Sequence, residues 1–142
     1  MNQLFCYGTL QVPEVIRAVT GQTYAGQKAT LQGYAIYRVN DAEYPGIVRS
    51  DNDEVEGILY KNVGDKSMKV LDLFEGDLYR RQLQCVETAD CMISKAWCYV
   101  IRDENKGLLT AETWRLADFL ANGLESFMAG YVKGRQHIYS TP

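Results

Sequence analysis

Apolar residues at Met68, Leu71 and Phe74 recur every three positions between lysines and acids, a spacing that predicts a short amphipathic helix over about 66–75. Asp65 is placed to cap its start and Gly76 to end it. A second helix of about two turns is predicted between Val12 and Gly21, with Pro13 near its start and Gly21 closing it. Extended segments are expected at Leu4–Tyr7, Gln27–Val39, Ile47–Val48, Glu54–Asn62, Tyr79–Thr88 and Ile93–Ile101. Asn40-Asp41-Ala42-Glu43 and Ala89-Asp90 are the turns, the first making a broad hairpin and leading into Tyr44-Pro45-Gly46. Arg81, Leu83 and Cys85 share one face of their strand by partial alternation. From about Thr110 a longer helix is predicted, with Trp114, Ala117, Leu120, Leu124, Phe127 and Met128 as its apolar stripe and Gly123 as a break or kink. Five to six strands joined mostly by short turns, with helices inserted, describe an α+β fold built on a small curved sheet or barrel.

This pattern puts one acid in an unusual place. Glu75 falls in the last turn of its helix, directly before Gly76, where the negative end of the helix dipole opposes ionisation by up to ~1 kcal/mol. Burial would add to that effect, leaving a carboxyl able to carry protons near neutral pH, so Glu75 is the candidate catalytic residue. A second candidate feature is Tyr7-Gly8-Thr9-Leu10, where a strand turns on a glycine and enters a helix. Such a turn exposes backbone N–H groups that can receive a carboxylate or an oxyanion.

The composition narrows the possibilities. A chain of 142 residues, 46% of them hydrophobic, suits a single domain spanning 1–142 with a packed core, in which residues 131–142 form either a loose tail or a contact with a neighbouring subunit. The formal charge is −3 and the 15 Lys and Arg are scattered, with Arg80-Arg81 the longest basic run, so no nucleic-acid or anionic-lipid face is expected. No apolar run approaches the roughly 20 residues that span a bilayer. The first residues carry no basic stretch and apolar core of a secretory leader, and a cytoplasmic protein is expected. Cys6, Cys85, Cys91 and Cys98 form no C-x-x-C pair and His137 is the single histidine, so no metal is expected. Cys85 and Cys98, inside strand-like runs, are expected to be buried, reduced thiols.

Tyr7-Gly8-Thr9-Leu10 together with Glu75-Gly76-x-x-Tyr79-x-Arg81 resembles the gamma-glutamylcyclotransferase-like superfamily. Leu31–Arg38, Tyr44–Val48 and Val55–Tyr60 occur between these motifs in that family's order, so the resemblance covers about residues 4–101. It is nearest to the subgroup of the plant avirulence-induced-gene proteins, which continue into a helix with a Glu-x-Trp-like segment, as Glu112-Thr113-Trp114 does here, and on that likeness the match is expected to extend to about Gly130. The resemblance implies a small mixed β-barrel flanked by helices. It implies an enzyme of the acyltransferase class that closes a gamma-glutamyl amide to 5-oxoproline and frees an amine, with no cofactor. In that family Glu75 would be the general base and then the acid, and the Tyr7–Leu10 loop would hold the substrate. Tyr79 and Tyr99 would line the pocket. From the residues themselves, Tyr44 beside Pro45 is expected at the pocket rim, and one of Arg80 and Arg81 is expected to face solvent while the other pairs with a carboxylate. Thr9 stands where several members carry serine, which keeps the hydroxyl. The resemblance implies a small gamma-glutamyl compound as the substrate partner, and the Tyr-rich, mildly acidic composition is compatible with a homodimer. The leaving amine is not specified by any residue.

Two other readings compete. The fold could serve as a non-catalytic binding module for a small metabolite, against which the acid at 75 argues, because a further negative charge gains nothing for a site that only holds a carboxylate. Cys6 with His137 could form a cysteine hydrolase, although no Asn or Asp partner is evident.

Overall fold

A computed structural model describes residues 1–132 of the chain; of the tail expected at 131–142, residues 133–142, His137 among them, lie outside the described residues. Five strands form a closed barrel: β1 (Asn2–Cys6), β2 (Gly26–Arg38), β3 (Pro45–Val63), β4 (Tyr79–Thr88) and β5 (Ile93–Ile101). Around the barrel the order is β1-β3-β2-β4-β5, antiparallel throughout except where β5 meets β1 in parallel at Leu4 and Trp97. Helices α1 (Pro13–Thr20) and α2 (Asp65–Glu75) are inserted after β1 and β3. The fold is therefore an α+β mixed barrel flanked by helices, as the alternation predicted.

β3 runs unbroken for 19 residues where two shorter extended segments were expected. Its middle bends instead of ending. Gln32 pairs with Glu54 and Tyr34 with Arg49, so residues 50–53 of β3 stand opposite Gly33 alone. Gly33 takes φ 84°, a conformation open to glycine at no steric cost, and this bulge turns the paired strands without breaking them.

The barrel wall has apolar packing on both sides. Along β1, Leu4 and Cys6 join the cluster under the helices, with Val15, Ile16, Met68, Leu71 and Phe74, while Phe5 and Tyr7 join Leu31, Ile47, Val55, Leu59, Val86 and Cys98 inside the barrel. Strand alternation dictates that split. Burying the 68/71/74 stripe against β1 and β3 is what holds α2 in place, since a helix of this length is marginal alone.

Three expectations need correction. Asp65 does not cap α2: Gly64 holds that position with no side-chain cap bond, and the Asp65 carboxylate accepts a hydrogen bond from Asn2 Nδ2 at 2.9 Å. Cys85 is exposed, because the Arg81/Leu83/Cys85 side of β4 faces away from the barrel interior; Cys98 is buried, and none of the four cysteines is in a disulfide. The C-terminal helical segment starts at Leu116, not near Thr110. Backbone bonds from Asn40 to Leu108, Thr110 to Arg38 and Arg38 to Glu112 hold residues 108–112 extended along the end of β2, and Trp114 Nε1 donates to Glu43 O at 2.8 Å. Tertiary hydrogen bonding thus overrides local helix preference.

Beyond that, short helices α3 (Leu116–Asp118) and α4 (Leu124–Phe127) alternate with wider turns at Phe119–Gly123 and Met128–Val132 of i→i+5 type. Gly123 does sit at the irregularity that was expected of it. The wide turn changes which residues stack: Phe119, Gly123 and Phe127 face inward, whereas Ala117 and Leu120 of the expected stripe face solvent.

Candidate active site

The end of β1 and the turn after it are fixed through their carbonyls. Gln11 Nε2 donates to Tyr7 O at 2.7 Å and Gly8 O at 3.3 Å, Val12 N to Thr9 O at 3.1 Å, and Tyr60 Oη to Leu10 O at 2.8 Å. The N–H groups of Thr9 and Leu10 open a single 3₁₀ turn over Thr9–Gln11, so they have no acceptor within it. The position needs glycine at residue 8, because a Cβ there would stand 2.9 Å from both Cγ and Cδ of Pro45. Pro45 is itself tied down, its carbonyl accepting from Tyr79 Oη at 2.6 Å.

Across from this turn α2 ends. Gly76 takes φ 68° and its N–H returns to Asp72 O, so the helix stops at Glu75 as the Gly76 signal predicted, and the half-buried Glu75 carboxyl stands at the negative end of the helix. Burial first, and then the Glu75 charge, push the Cys98 thiol above its ordinary range, and burial, the hydrogen bond to Asp72 and then the Glu75 charge do the same for the Tyr99 phenol. Burial likewise dominates at Cys6 and Tyr7, with Glu75 again contributing. These groups are therefore neutral hydrogen-bonding walls at physiological pH, not nucleophiles.

All seven residues singled out in the sequence, Tyr7, Gly8, Thr9, Leu10, Glu75, Tyr79 and Tyr99, line one pocket at the end of the barrel. Tyr44 lines it too. Tyr7 Oη donates to Tyr99 O at 2.5 Å and Tyr99 Oη to Asp72 Oδ1 at 2.7 Å, so the phenols at 7 and 99 have named structural partners as well as a pocket face. Arg81 pairs with Asp72 at 2.9 Å while Arg80 is exposed, dividing the two arginines as expected. Cys6 also lines the pocket, but a thiol held so firmly protonated is unsuited to nucleophilic attack.

The sequence reading missed the aromatic wall. Phe74 and Phe127 meet edge to face with centroids 6.3 Å apart, and Phe127 meets Tyr44 at 6.5 Å, bringing the C-terminal helical segment to the pocket. Phe127 was assigned only to covering the barrel; its four-residue spacing from Gly123 and Phe119 marked an inward face but not what it faced. Among the described residues, no group of three or more His, Cys, Asp or Glu is placed to hold a metal ion. No described helix is long and apolar enough to cross a membrane.

A mixed five-stranded barrel whose end carries a glycine turn opposite a helix-terminal glutamate defines the class of fold, and the comparisons define the family. The model of the gamma-glutamyl cyclotransferase, AIG2-like family matches residues 4–116, and the chain belongs to that family. Protein AIG2 C of Arabidopsis thaliana is 27% identical over 120 residues, spanning 81% of this chain and 73% of its own length. AIG2-like protein A of the same plant is 35% identical over 81 residues, 57% of this chain and 49% of its own. A solution structure of an Arabidopsis thaliana protein aligns with a TM-score of 0.72 at 25% identity, covering 99% of this chain and 94% of that one. A solved gamma-glutamyl cyclotransferase aligns with a TM-score of 0.65 at 20% identity over 71% of this chain and 66% of its own, a likeness of fold. Phe127 lies beyond the part of the chain that the family model covers.

Proposed function

We propose that the protein is a gamma-glutamylcyclotransferase that converts a gamma-glutamyl amide to 5-oxoproline and a free amine. The observation that carries this reading is the meeting of Glu75 with the Gly8–Leu10 turn in one pocket. The reaction is internal to the substrate: its alpha-nitrogen attacks the side-chain carbonyl carbon, a C–N bond closes the five-membered ring, and the original amide C–N bond breaks. An attack of this kind gains an effective molarity of ~10⁵ M or more once the chain is folded back, so the protein need not supply a nucleophile.

Three tasks remain, and residues are at hand for each. The alpha-nitrogen must lose two protons, one before attack and one after the ring closes, which Glu75 accepts in turn; the developing oxyanion or the substrate carboxylate needs donors, which the N–H groups of Thr9 and Leu10 supply; and the leaving nitrogen must gain one proton to be expelled, which Glu75 returns, and a second from solvent as it departs as an ammonium. Protons and charge balance over the cycle without a cofactor. Tyr7, Tyr79 and Tyr99 pack beside the substrate as neutral walls that keep the reacting centre dry.

The test is 5-oxoproline release from a panel of gamma-glutamyl amino acids and gamma-glutamylamines by the wild type and by Glu75→Gln. Release from at least one member, falling ~100-fold or more in the mutant, is expected for a lost general base. A wild type that bound gamma-glutamyl compounds without releasing product would instead be a binding module.

A further inference from the structure

Asp72 lies one turn before Glu75 on α2, and both of its carboxylate oxygens are held. Tyr99 Oη donates to Oδ1 at 2.7 Å, while Arg81 reaches Oδ1 through Nε at 2.9 Å and Oδ2 through Nη2 at 3.2 Å. The Arg81 guanidinium in turn lies over the Trp97 ring, 4.3 Å from its centroid. Asp72 O also accepts the Gly76 N–H that ends the helix. One residue thus joins α2 to β4 through Arg81 and to β5 through Tyr99 at the turn that presents Glu75.

Resting on the reading of Glu75 as the proton carrier, we propose that Asp72, Arg81 and Tyr99 are positioning residues that dock the last turn of α2 on the barrel and make the charge beside Glu75 nearly neutral. The reason lies in the spacing. Residues three apart on a helix are neighbours, and two carboxylates there, at a helix end already negative, oppose each other's ionisation. A fork-like Arg81–Asp72 pair cancels that charge while fixing the geometry, which a lysine at 81 could do only as a point charge.

Among the described residues, the other titratable groups that line the pocket with Glu75 are thiols and phenols. β1 presents Cys6 and Tyr7, β4 presents Tyr79, β5 presents Cys98 and Tyr99, and Tyr44 enters from the segment before β3. Thiols and phenols of this kind are uncharged at neutral pH. Arg102, whose Nε donates to Tyr79 O at 3.0 Å, is left untouched by the test below.

The test is a ¹³C NMR titration of the Glu75 carboxyl in the full chain, for the wild type, Asp72→Asn, Arg81→Met and the double variant, with thermal unfolding as the check of folding. Arg81→Met leaves Asp72 uncompensated and raises the Glu75 pKa; Asp72→Asn leaves Arg81 uncompensated and lowers it. Each shift is about half a unit for charges near 6 Å apart in a largely solvated setting, and the double variant returns toward the wild type. A merely structural role moves both single variants the same way, and that result, or no shift in either, overturns the proposal. Should Arg81→Met fail to fold, Arg81→Lys keeps the charge and is expected near the wild-type value; a rise as large as that calculated for Arg81→Met overturns the proposal as well. The acid limb of 5-oxoproline release should follow the order of the titrations. Opposed shifts with no release from the wild type would confirm the electrostatic pairing while removing its catalytic role, so the two failures are told apart.

Discussion

Replacing Gly8 by alanine probes the contact on which the pocket turn depends. The added Cβ would stand 2.9 Å from Pro45 Cγ and Cδ, closer than ordinary van der Waals contact, and both sides of the clash are held. Pro45 begins β3 opposite Arg38 and its carbonyl takes the Tyr79 hydroxyl at 2.6 Å; the turn is fixed by Gln11 and Tyr60. Relief therefore costs the ~1–3 kcal/mol typical of overpacking, which for a chain of this size lowers Tm by about 3–10 °C. Displacement of the Thr9 and Leu10 N–H groups should cost more in catalysis than in stability, with kcat/KM for 5-oxoproline release falling ~100-fold for a shift near 1 Å. Calorimetry and a product-release assay measure the two effects, with Gly64→Ala as control, since a Cβ at residue 64 has no atom within 4 Å. A Gly8→Ala protein with wild-type Tm and kcat/KM would refute the argument that the Pro45 approach sets the shape of the turn.

Two further outcomes follow from burial. Native protein treated with iodoacetamide at pH 8 should be labelled at the exposed Cys85 and Cys91, while Cys6 and Cys98, whose thiols burial holds above their ordinary range, react only after unfolding; mass spectrometry of the labelled peptides would contradict this if Cys6 reacted as fast as Cys85. Folded-state pKa values raised above the ordinary 9.0 of Cys6 and Cys98 and 10.0 of Tyr7, Tyr60 and Tyr99 mean that the folded chain holds protons the unfolded chain has lost. Stability from these groups is full below about pH 9 and is lost as pH rises beyond it, so denaturant midpoints should fall progressively above pH 9; a midpoint unchanged to pH 11 would oppose it.

Much of the barrel was legible because its signals are local. The 68/71/74 spacing located α2 and Gly76 ended it, since a positive φ after a helix is a backbone demand that glycine meets most readily. Pro13 and Gly21 bounded α1 for the same kind of reason. Where partners distant in sequence decided the outcome, the reading failed. Thr110 to Trp114 look helical by pattern, yet backbone pairing with Arg38 and the bond to Glu43 hold them out of a helix. Asp65 looks like a cap, but Asn2 takes its carboxylate. Cys85 shares a strand pattern with buried residues and still faces solvent, because alternation assigns residues to two sides without saying which side is covered.

The sequence alone determined α1, α2, most of the strands, the closing glycines and the identity of the helix-terminal acid, because helix ends and turns are settled by dihedral preference and spacing within a few residues. Only the tertiary structure decided that residues 7–10, 75, 79 and 99 line one pocket, that Phe127 reaches it from the C-terminal segment, and that Arg81 and Tyr99 converge on Asp72. Those meetings depend on barrel register and helix docking, where contacts between residues far apart in the chain must be satisfied together and no local pattern records them.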